Sequence, residues 1–349
     1  MSNVQTQIRL PTRKLGKNGP EITSIGYGFM GLSAFYGKVG NDEERLALID
    51  HIYASGERNW DTADMYGDSE DLLGKWFKQN PGKREQIFLA TKFANFSDPE
   101  TGQRRVRNDP EYIHQAIEKS LTRLGLPYVD LYYVHRVNSD TPIEITVGEL
   151  KKLKEAGKIK YIGLSEVSAE TLRRASKIVH IDAVQVEYSP FSTDIEDPKI
   201  DVLRTARELG SAIVAYSPLG RGFLSGTIKS RDDLDPTDFR LLMPRFSPES
   251  FPKNLELVHG IEKIAQKKSI TPSQLVLAWL LAQGDDIIPI PGTTNAKRVD
   301  ENLGALAVTL TKEEDNELRQ LIENTGVSGD RYPPHMSKVL FGDTKPLDG

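Results

Sequence analysis

The feature that most constrains the fold of this chain is an eightfold alternation of short apolar segments with longer amphipathic ones. The short segments have the composition of buried strands, and the longer segments have the apolar period of helices. Strands that alternate with helices predict a parallel sheet covered by helices. Eight such units, rather than five or six, favour closure of the sheet into a (β/α)8 barrel, an α/β fold.

Capping residues support the boundaries of several predicted helices. Asp109-Pro110 and Thr271-Pro272 are typical helix starts, and Gly125, Gly157 and Gly210 stand where helices end. The predicted strands are Ile25–Met30, Asn59–Thr62, Ile87–Thr91, Val129–His135, Ile159–Leu164, Ala183–Glu187, Ala212–Tyr216 and Ile287–Pro291. The predicted helices are Asp42–Ser55, Ser69–Lys78, Pro110–Leu124, Ile143–Ala156, Ala169–Ile178, Lys199–Leu209, Pro272–Ala282 and Lys297–Ala305.

Three segments lie outside this repeat. Residues Arg13–Ile25 predict a β-hairpin that plugs one end of the barrel. The long segment Gly220–Pro252 follows the seventh strand, where an active-site loop is expected, and Thr311–Ile322 predicts an extra helix before a tail. A length of 349 residues permits one or two domains, and we predict one domain over 1–349, with a core at about 13–322 and a tail at 323–349.

Composition excludes several classes of function. The net charge is −5 with acidic and basic residues interspersed, so no basic stripe favours nucleic acid as a partner. The chain has no cysteine, which excludes disulfides and thiolate chemistry, and no His, Asp and Glu cluster has the spacing of a metal site. No apolar run approaches the ~20 residues of a membrane span, and we expect a cytoplasmic protein with no membrane partner. The sequence leaves the oligomeric state open.

Four polar side chains follow the predicted barrel strands at their carboxyl ends, where barrel enzymes carry their active sites. They are Asp61, Tyr66, Lys92 and His135. Carbonyl reduction needs a proton donor at the carbonyl oxygen, and a phenol whose pKa is lowered by a nearby ammonium can serve. We assign these parts to Tyr66 and Lys92, with Asp61 keeping Lys92 charged and a neutral His135 hydrogen-bonding the carbonyl.

Each of the four residues, taken singly, has a structural explanation. An aspartate often begins a turn, a tyrosine or lysine can lie on a rim, and a histidine can be a satisfied core residue. The functional hypothesis rests on all four occurring together after strands two, three and four.

The sequence resembles the aldo-keto reductase superfamily through phrases that cover roughly Arg13 to Ala305 in order and spacing. The phrases are Asn59-Trp60-Asp61-Thr62-Ala63-Asp64-Met65-Tyr66-Gly67, Ala90-Thr91-Lys92-Phe93, Leu131-Tyr132-Tyr133-Val134-His135-Arg136, Gly163-Leu164-Ser165-Glu166, Gln185-Val186-Glu187-Tyr188-Ser189, Ala215-Tyr216-Ser217-Pro218-Leu219-Gly220 and Ile288-Pro289-Ile290-Pro291-Gly292-Thr293-Thr294. The resemblance implies a catalytic tetrad of Asp61, Tyr66, Lys92 and His135, with Tyr66 as the general acid.

The resemblance also implies NADPH as the cofactor. Ser165 and Gln185 would hold the nicotinamide carboxamide, and Tyr216 would stack on the ring. Arg298 matches the residue that pairs with the 2′-phosphate, a group suited to a guanidinium. The remaining implied cofactor residues lie along the pyrophosphate and adenine: Ser217, Leu219, Gly220, Arg221, Gly222, Gly292, Thr293, Glu301 and Asn302. A lysine seen in the last loop of other branches is absent, so the expected preference for NADPH over NADH is modest.

One detail of the sequence indicates which branch of the superfamily the chain resembles. Glu166 stands where many members have asparagine, and the Ser165-Glu166 pair resembles the plant and fungal branch of perakine-reductase-like, auxin-induced-type proteins. That branch does not fix the substrate. Candidate substrate-pocket residues, with ordinary rim packing as the alternative, are Met30, Tyr36, Phe93, Phe96 and Arg136.

The function expected from the sequence is NADPH-dependent reduction of an aldehyde or ketone to the alcohol, with a small carbonyl compound as the substrate. One alternative is an NADPH-binding regulatory or sensor subunit with little turnover. Another is a reductase dedicated to one substrate, such as pyridoxal or a sugar.

Overall fold

The strands of the protein follow the predicted pattern closely. The computed structural model describes residues 8–98 and 100–347. In chain order its strands are β1 (Thr12–Lys14), β2 (Glu21–Thr23), β3 (Tyr27–Gly28), β4 (Asn59–Asp61), β5 (Phe88–Phe93), β6 (Asn95–Ser97), β7 (Arg104–Val106), β8 (Val129–Val134), β9 (Ile159–Ser165), β10 (Ala183–Glu187), β11 (Ala212–Tyr216) and β12 (Ile287–Pro289).

Eight of these strands form one parallel sheet in the order β3-β4-β5-β8-β9-β10-β11-β12. Two backbone hydrogen bonds join its first and last strands, from Gly26 N to Pro289 O at 2.9 Å and from Gly28 N to Pro291 O at 3.2 Å. The sheet therefore closes on itself, and the predicted (β/α)8 barrel is confirmed.

The helices lie between the strands, and the predicted capping residues act at their ends. Asp109 accepts a hydrogen bond from the backbone of Tyr112, and Gly125 takes a left-handed conformation at φ 64°. The helices are α1 (Met30–Ser33), α2 (Asp42–Ala54), α3 (Ser69–Gln79), α4 (Pro110–Leu124), α5 (Ile143–Glu155), α6 (Ala169–Ile178), α7 (Val202–Leu209), α8 (Phe251–Lys267), α9 (Pro272–Ala282), α10 (Ala296–Gly304), α11 (Lys312–Thr325) and α12 (Pro334–Ser337). None of the helices in residues 8–98 and 100–347 combines the length and apolar character needed to cross a bilayer.

The predicted hairpin closes one end of the barrel. Strands β1 and β2 pair antiparallel, and buried Leu15 and Ile22 pack against the residues that fill the barrel interior. The turn passes so close to the barrel that a Cβ on Gly16 would lie 2.7 Å from the carbonyl oxygen of Gly210. Glycine is therefore required there, at a φ of 65°. The opposite end, at the strand carboxyl termini, is left open for a site.

The sequence analysis missed two elements and misplaced the start of a third. The seventeen-residue helix α8 was not predicted, although the Gly220–Pro252 segment before it does consist of short turns. The small hairpin β6-β7 after the third barrel strand was also missed. Helix α7 begins at Val202 rather than at Lys199, because Asp201 before it is left-handed at φ 59°.

Candidate active site

A cavity of about 470 Å³ lies at the carboxyl ends of the barrel strands. Asp61, Tyr66 and His135 line it, and Lys92 lies fully buried behind them. Backbone strain marks the same end of the barrel. Ala94, Glu166 and Ser217 follow strands β5, β9 and β11 with φ angles of 117°, 50° and 48°. Residues other than glycine rarely adopt such backbone angles, and those that do are concentrated at functional sites.

A buried ion pair forms the base of the site. Lys92 donates to Asp61 and, at 2.8 Å, to the carbonyl oxygen of Thr62. Gln185 donates to the second oxygen of Asp61 at 2.7 Å, so both carboxylate oxygens are satisfied. Burial lowers the pKa of Lys92, but Asp61 and Tyr66 outweigh burial and raise it above the usual value. Lys92 is therefore held as an ammonium, as the sequence predicted for the pair.

Tyr66 lies above this pair, with its hydroxyl 3.5 Å from Nζ of Lys92. Burial raises the pKa of Tyr66, and the positive charge of Lys92 offsets only part of that rise. The expectation that Lys92 lowers the pKa of the phenol below its usual value was therefore wrong, because desolvation of the phenolate outweighs the ammonium. A raised pKa keeps the phenol protonated at neutral pH, which is the form that a general acid needs.

His135 stands edge-on to Tyr66, with ring centroids 5.8 Å apart. Burial lowers its pKa well below the usual value, and the positive charges of Arg136 and Lys92 add to the effect. The imidazole is therefore neutral at physiological pH, in agreement with the sequence-based prediction. A neutral imidazole and a neighbouring phenol can both hydrogen-bond the same oxygen atom of a ligand.

The residues assigned to the nicotinamide carboxamide lie in the same cavity, and each already has a protein partner. The hydroxyl of Ser165 accepts a hydrogen bond from Arg136 at 3.2 Å, while Gln185 holds Asp61 as described above. Tyr216 also lines the cavity, and its hydroxyl donates to Glu166 at 2.8 Å. The structure brings these side chains together, and their contacts to a cofactor remain predictions.

Glu166, the residue that departs from the resemblance, is fully buried and belongs to a charged network. Arg331 donates to it at 2.5 Å and to the hydroxyl of Tyr216 at 3.1 Å. The same guanidinium lies 3.4 Å from Glu187, which also pairs with Arg221 at 3.3 Å. These cations hold the pKa of Glu187 at about 2 although burial acts to raise it.

Sequence analysis missed Arg331. The only available signal was a pair of glutamates, Glu166 and Glu187, at the ends of adjacent buried strands. Two carboxylates in such positions need cations, although nothing in the sequence says which ones. The C-terminal tail also docks through its backbone, because Gly342 N donates to Glu166 O at 2.7 Å and Ser168 N donates to Gly342 O at 3.0 Å.

The loop after β11 contains the residues to which the resemblance assigns the pyrophosphate. Residues Gly220, Arg221 and Gly222 are left-handed in succession, at φ 56°, 58° and 88°. The backbone amides of Gly220 and Gly222 donate to the carbonyl oxygens of Ser217 and Leu219 at 2.9 and 3.0 Å, so these two amides are engaged within the turn. Ser217, Leu219, Arg221 and Gly222 line the cavity, whereas Gly220 does not and packs on Phe191 instead.

The loop after β12 forms the far wall. Gly292, Thr293, Arg298 and Asn302 line the cavity, and Glu301 does not. Arg298 is exposed, and among the described residues no carboxylate forms an ion pair with it. A free guanidinium at the rim fits a phosphate group, so the residues present are suited to NADPH.

The candidate substrate residues divide into two groups. Met30, Tyr36 and Arg136 line the cavity as predicted. Phe93 and Phe96 do not, and their assignment to the pocket is corrected. Phe93 is fully buried, with its ring stacked on Tyr132 at 4.9 Å, and Phe96 packs on Tyr112 outside the cavity. Further lining residues that the prediction did not name are Phe35, Met65, Asn95, Phe239, Arg240, Tyr332, Met336 and Val339.

Comparison with known proteins agrees with this geometry. The model of the aldo/keto reductase family matches residues 24–323. The chain is 52% identical over 342 residues to an aldo-keto reductase from Schizosaccharomyces pombe, yakc, whose name specifies NADP(+), covering 97% of this chain and 99% of that protein. It is 51% identical to the aldo-keto reductase str7 from Strobilurus tenacellus, covering 92% of this chain and 95% of that protein. Among solved structures, the glycerol dehydrogenase AKR11B4 from Gluconobacter oxydans matches with a TM-score of 0.80 and 25% identity, over 90% of this chain and 95% of that chain.

Proposed function

The chain belongs to the aldo/keto reductase family, and from that premise we propose that it reduces an aldehyde or a ketone to the alcohol with NADPH. The observation that carries the proposal is the buried ion pair of Asp61 and Lys92 beneath a protonated Tyr66 and a neutral His135. All of these groups face one cavity or lie directly behind it. Carbonyl reduction needs such a proton donor close to a hydrogen-bonding group.

In the proposed reaction, bound NADPH supplies a hydride to the carbonyl carbon. Tyr66 gives its phenolic proton to the carbonyl oxygen, so that the carbonyl compound, NADPH and one proton become the alcohol and NADP+. His135 hydrogen-bonds the same oxygen and keeps it beside the phenol. Lys92 stabilises the phenolate that remains, and Asp61 keeps Lys92 charged.

Residues of this chain would hold the cofactor along the cavity. Ser165, Gln185 and Tyr216 would hold the nicotinamide end, and the left-handed Arg221-Gly222 turn would hold the pyrophosphate. Arg298 would bind the 2′-phosphate, with a free guanidinium at the rim as the support for that role.

Two finer assignments belong to the same proposal. We place the chain in the perakine-reductase-like, auxin-induced-type branch, supported by the Ser165-Glu166 pair and the phrase from Val134 to Val137. We also infer a cytoplasmic location, supported by the absence of a long apolar run in the sequence.

The test is NADPH oxidation by the purified protein with a reactive aromatic aldehyde such as 4-nitrobenzaldehyde. We expect one alcohol formed for each NADPH consumed, with a lower kcat/KM for NADH. Binding of NADPH without turnover across a panel of aldehydes and ketones would contradict the proposal and would favour a regulatory subunit.

The cofactor assignment is tested separately by Arg298→Gln. This variant is expected to weaken NADPH binding about tenfold or more and to leave NADH binding unchanged, because only NADPH carries the 2′-phosphate. Lys297→Gln, at the exposed neighbouring position, is the matched control and should leave both affinities unchanged.

A further inference from the structure

The cations around the cavity differ in whether a carboxylate neutralises them. Lys92 pairs with Asp61, and Arg221 pairs with Glu187 at 3.3 Å. Arg240 forms a bidentate ion pair with Asp238, at 2.6 Å for the shorter of its two contacts. These three cations therefore have counter-charges supplied by the protein itself.

Arg136 has no such partner. Its guanidinium lines the cavity and donates to the carbonyl oxygen of His135 at 2.6 Å and to the hydroxyl of Ser165 at 3.2 Å. Both acceptors are uncharged, and within residues 8–98 and 100–347 no carboxylate is close enough to form an ion pair with it. Arg136 is partly buried, and a guanidinium that is partly withdrawn from water without a counter-charge is destabilised, so a bound anion would stabilise it.

The carboxylate of Glu166, whose charge acts on Arg136, already has other partners. Burial acts to lower the pKa of Arg136, but Tyr216 and Glu166 act against burial and raise it above the usual value. Glu166 acts only from a distance, because it is bound by Arg331 and by the hydroxyl of Tyr216. Burial acts to raise the pKa of Tyr332, which lines the same wall, yet Arg221 and Arg136 lower it below the usual value.

Within residues 8–98 and 100–347, the guanidiniums of Arg136 and Arg298 thus line the cavity without a carboxylate partner. Arg298 lies on the loop after β12, where the proposed function places a phosphate of the cofactor. Arg136 follows His135 directly in the chain, and both residues line the cavity that would hold the carbonyl group.

We propose that Arg136 binds an anionic group of the substrate, so that the preferred substrates are aldehydes or ketones that carry a carboxylate a few bonds from the carbonyl. This inference rests on the proposed reductase function and specifies its substrate class. A carboxylate on the substrate would accept two hydrogen bonds from the guanidinium and would supply the missing counter-charge.

The test compares carboxybenzaldehydes with the carboxylate at positions 2, 3 and 4 against their methyl esters, which differ only in the charge and one methyl group. The unaltered protein is expected to reduce at least one acid with a kcat/KM about tenfold or more above that of its ester. Arg136→Gln should remove this preference by slowing the acid more than the ester, and Arg136→Lys should retain part of it.

Arg240→Gln is the matched control, because it removes a cavity guanidinium that already has a counter-charge. The ratio of acid to ester should be unchanged in this variant. Equal rates for every acid and ester in the unaltered protein would overturn the inference. So would an Arg136→Gln variant that binds NADPH more weakly while the ratio stays the same, because Arg136 would then serve the cofactor.

Failure of the reductase function has a different signature, since neither acids nor esters would then be reduced. In that case calorimetry with 4-(hydroxymethyl)benzoate on the NADP+ complex tests the inference without turnover. Binding that Arg136→Gln weakens about tenfold supports it, and binding that this variant leaves unchanged overturns it.

Discussion

Replacement of Arg331 by methionine tests whether the buried charges around Glu166 stabilise the fold and the site together. Arg331 is 6% exposed and Glu166 is fully buried, and the two are linked at 2.5 Å. Methionine fills a similar volume but leaves the Glu166 carboxylate without its cation. Removal of one partner from a buried ion pair costs about 3–5 kcal/mol in the free energy of unfolding, which we expect for Arg331→Met.

The assay is urea unfolding at pH 7, followed by tryptophan fluorescence, for Arg331→Met, Glu166→Gln and the double variant. Most of the loss is expected to return in the double variant, because no uncompensated carboxylate remains there. Since Arg331 also donates to the hydroxyl of Tyr216, the single variant should bind NADPH more weakly as well.

The reasoning would be refuted in either of two ways. One is a loss below about 1 kcal/mol for Arg331→Met, which would place the pair among weak, solvent-screened ion pairs. The other is a double variant whose loss equals the sum of the two single losses, which would mean that the two side chains do not interact.

Three further predictions concern single buried side chains. Burial raises the pKa of Glu57 to about 8. The folded protein therefore loses stability as the pH rises from the ordinary pKa of a glutamate toward 8, because the buried carboxyl must then lose its proton. Glu57→Gln should remove most of this difference between the free energies of unfolding in urea at pH 5 and pH 9. Lys92→Met leaves Asp61 without its cation and should lower kcat about a hundredfold or more, measured by NADPH oxidation, while NADPH affinity changes little. Leu15→Ala opens a cavity beneath the barrel and should lower the free energy of unfolding by about 2–5 kcal/mol, measured at pH 7.

The barrel could be predicted because its signals are local. Each strand and helix is recognisable from its own period and caps, as with Asp109 and Gly125 around α4. The four central site residues followed from the same information, since a barrel places the carboxyl ends of its strands on one face. Helix α8 was missed because Pro252 and Gly260 resemble turn residues. In the structure Pro252 lies in the first turn, and Gly260 lets the side chain of Leu321 approach closely.

What could not be predicted depends on distance in the chain or on burial. The ion pair of Arg331 with Glu166 joins residues 165 positions apart, and no local pattern reports it. The pKa of Tyr66 was expected to fall because Lys92 is near, and it rises because burial outweighs that charge. The extent of burial follows from the packed tail and loops, which sequence periodicity does not describe.

The most direct test of the central claim is the rate of NADPH oxidation in a single turnover with an aromatic aldehyde, measured for Tyr66→Phe. This variant keeps the ring and removes only the proton donor. The account predicts a rate about 100-fold to 10,000-fold below that of the unaltered protein, with NADPH affinity unchanged. Tyr128→Phe, at the amino end of β8 and away from the cavity, should keep the full rate. A Tyr66→Phe variant that retains the rate within a few-fold would contradict the claim that this phenol is the general acid.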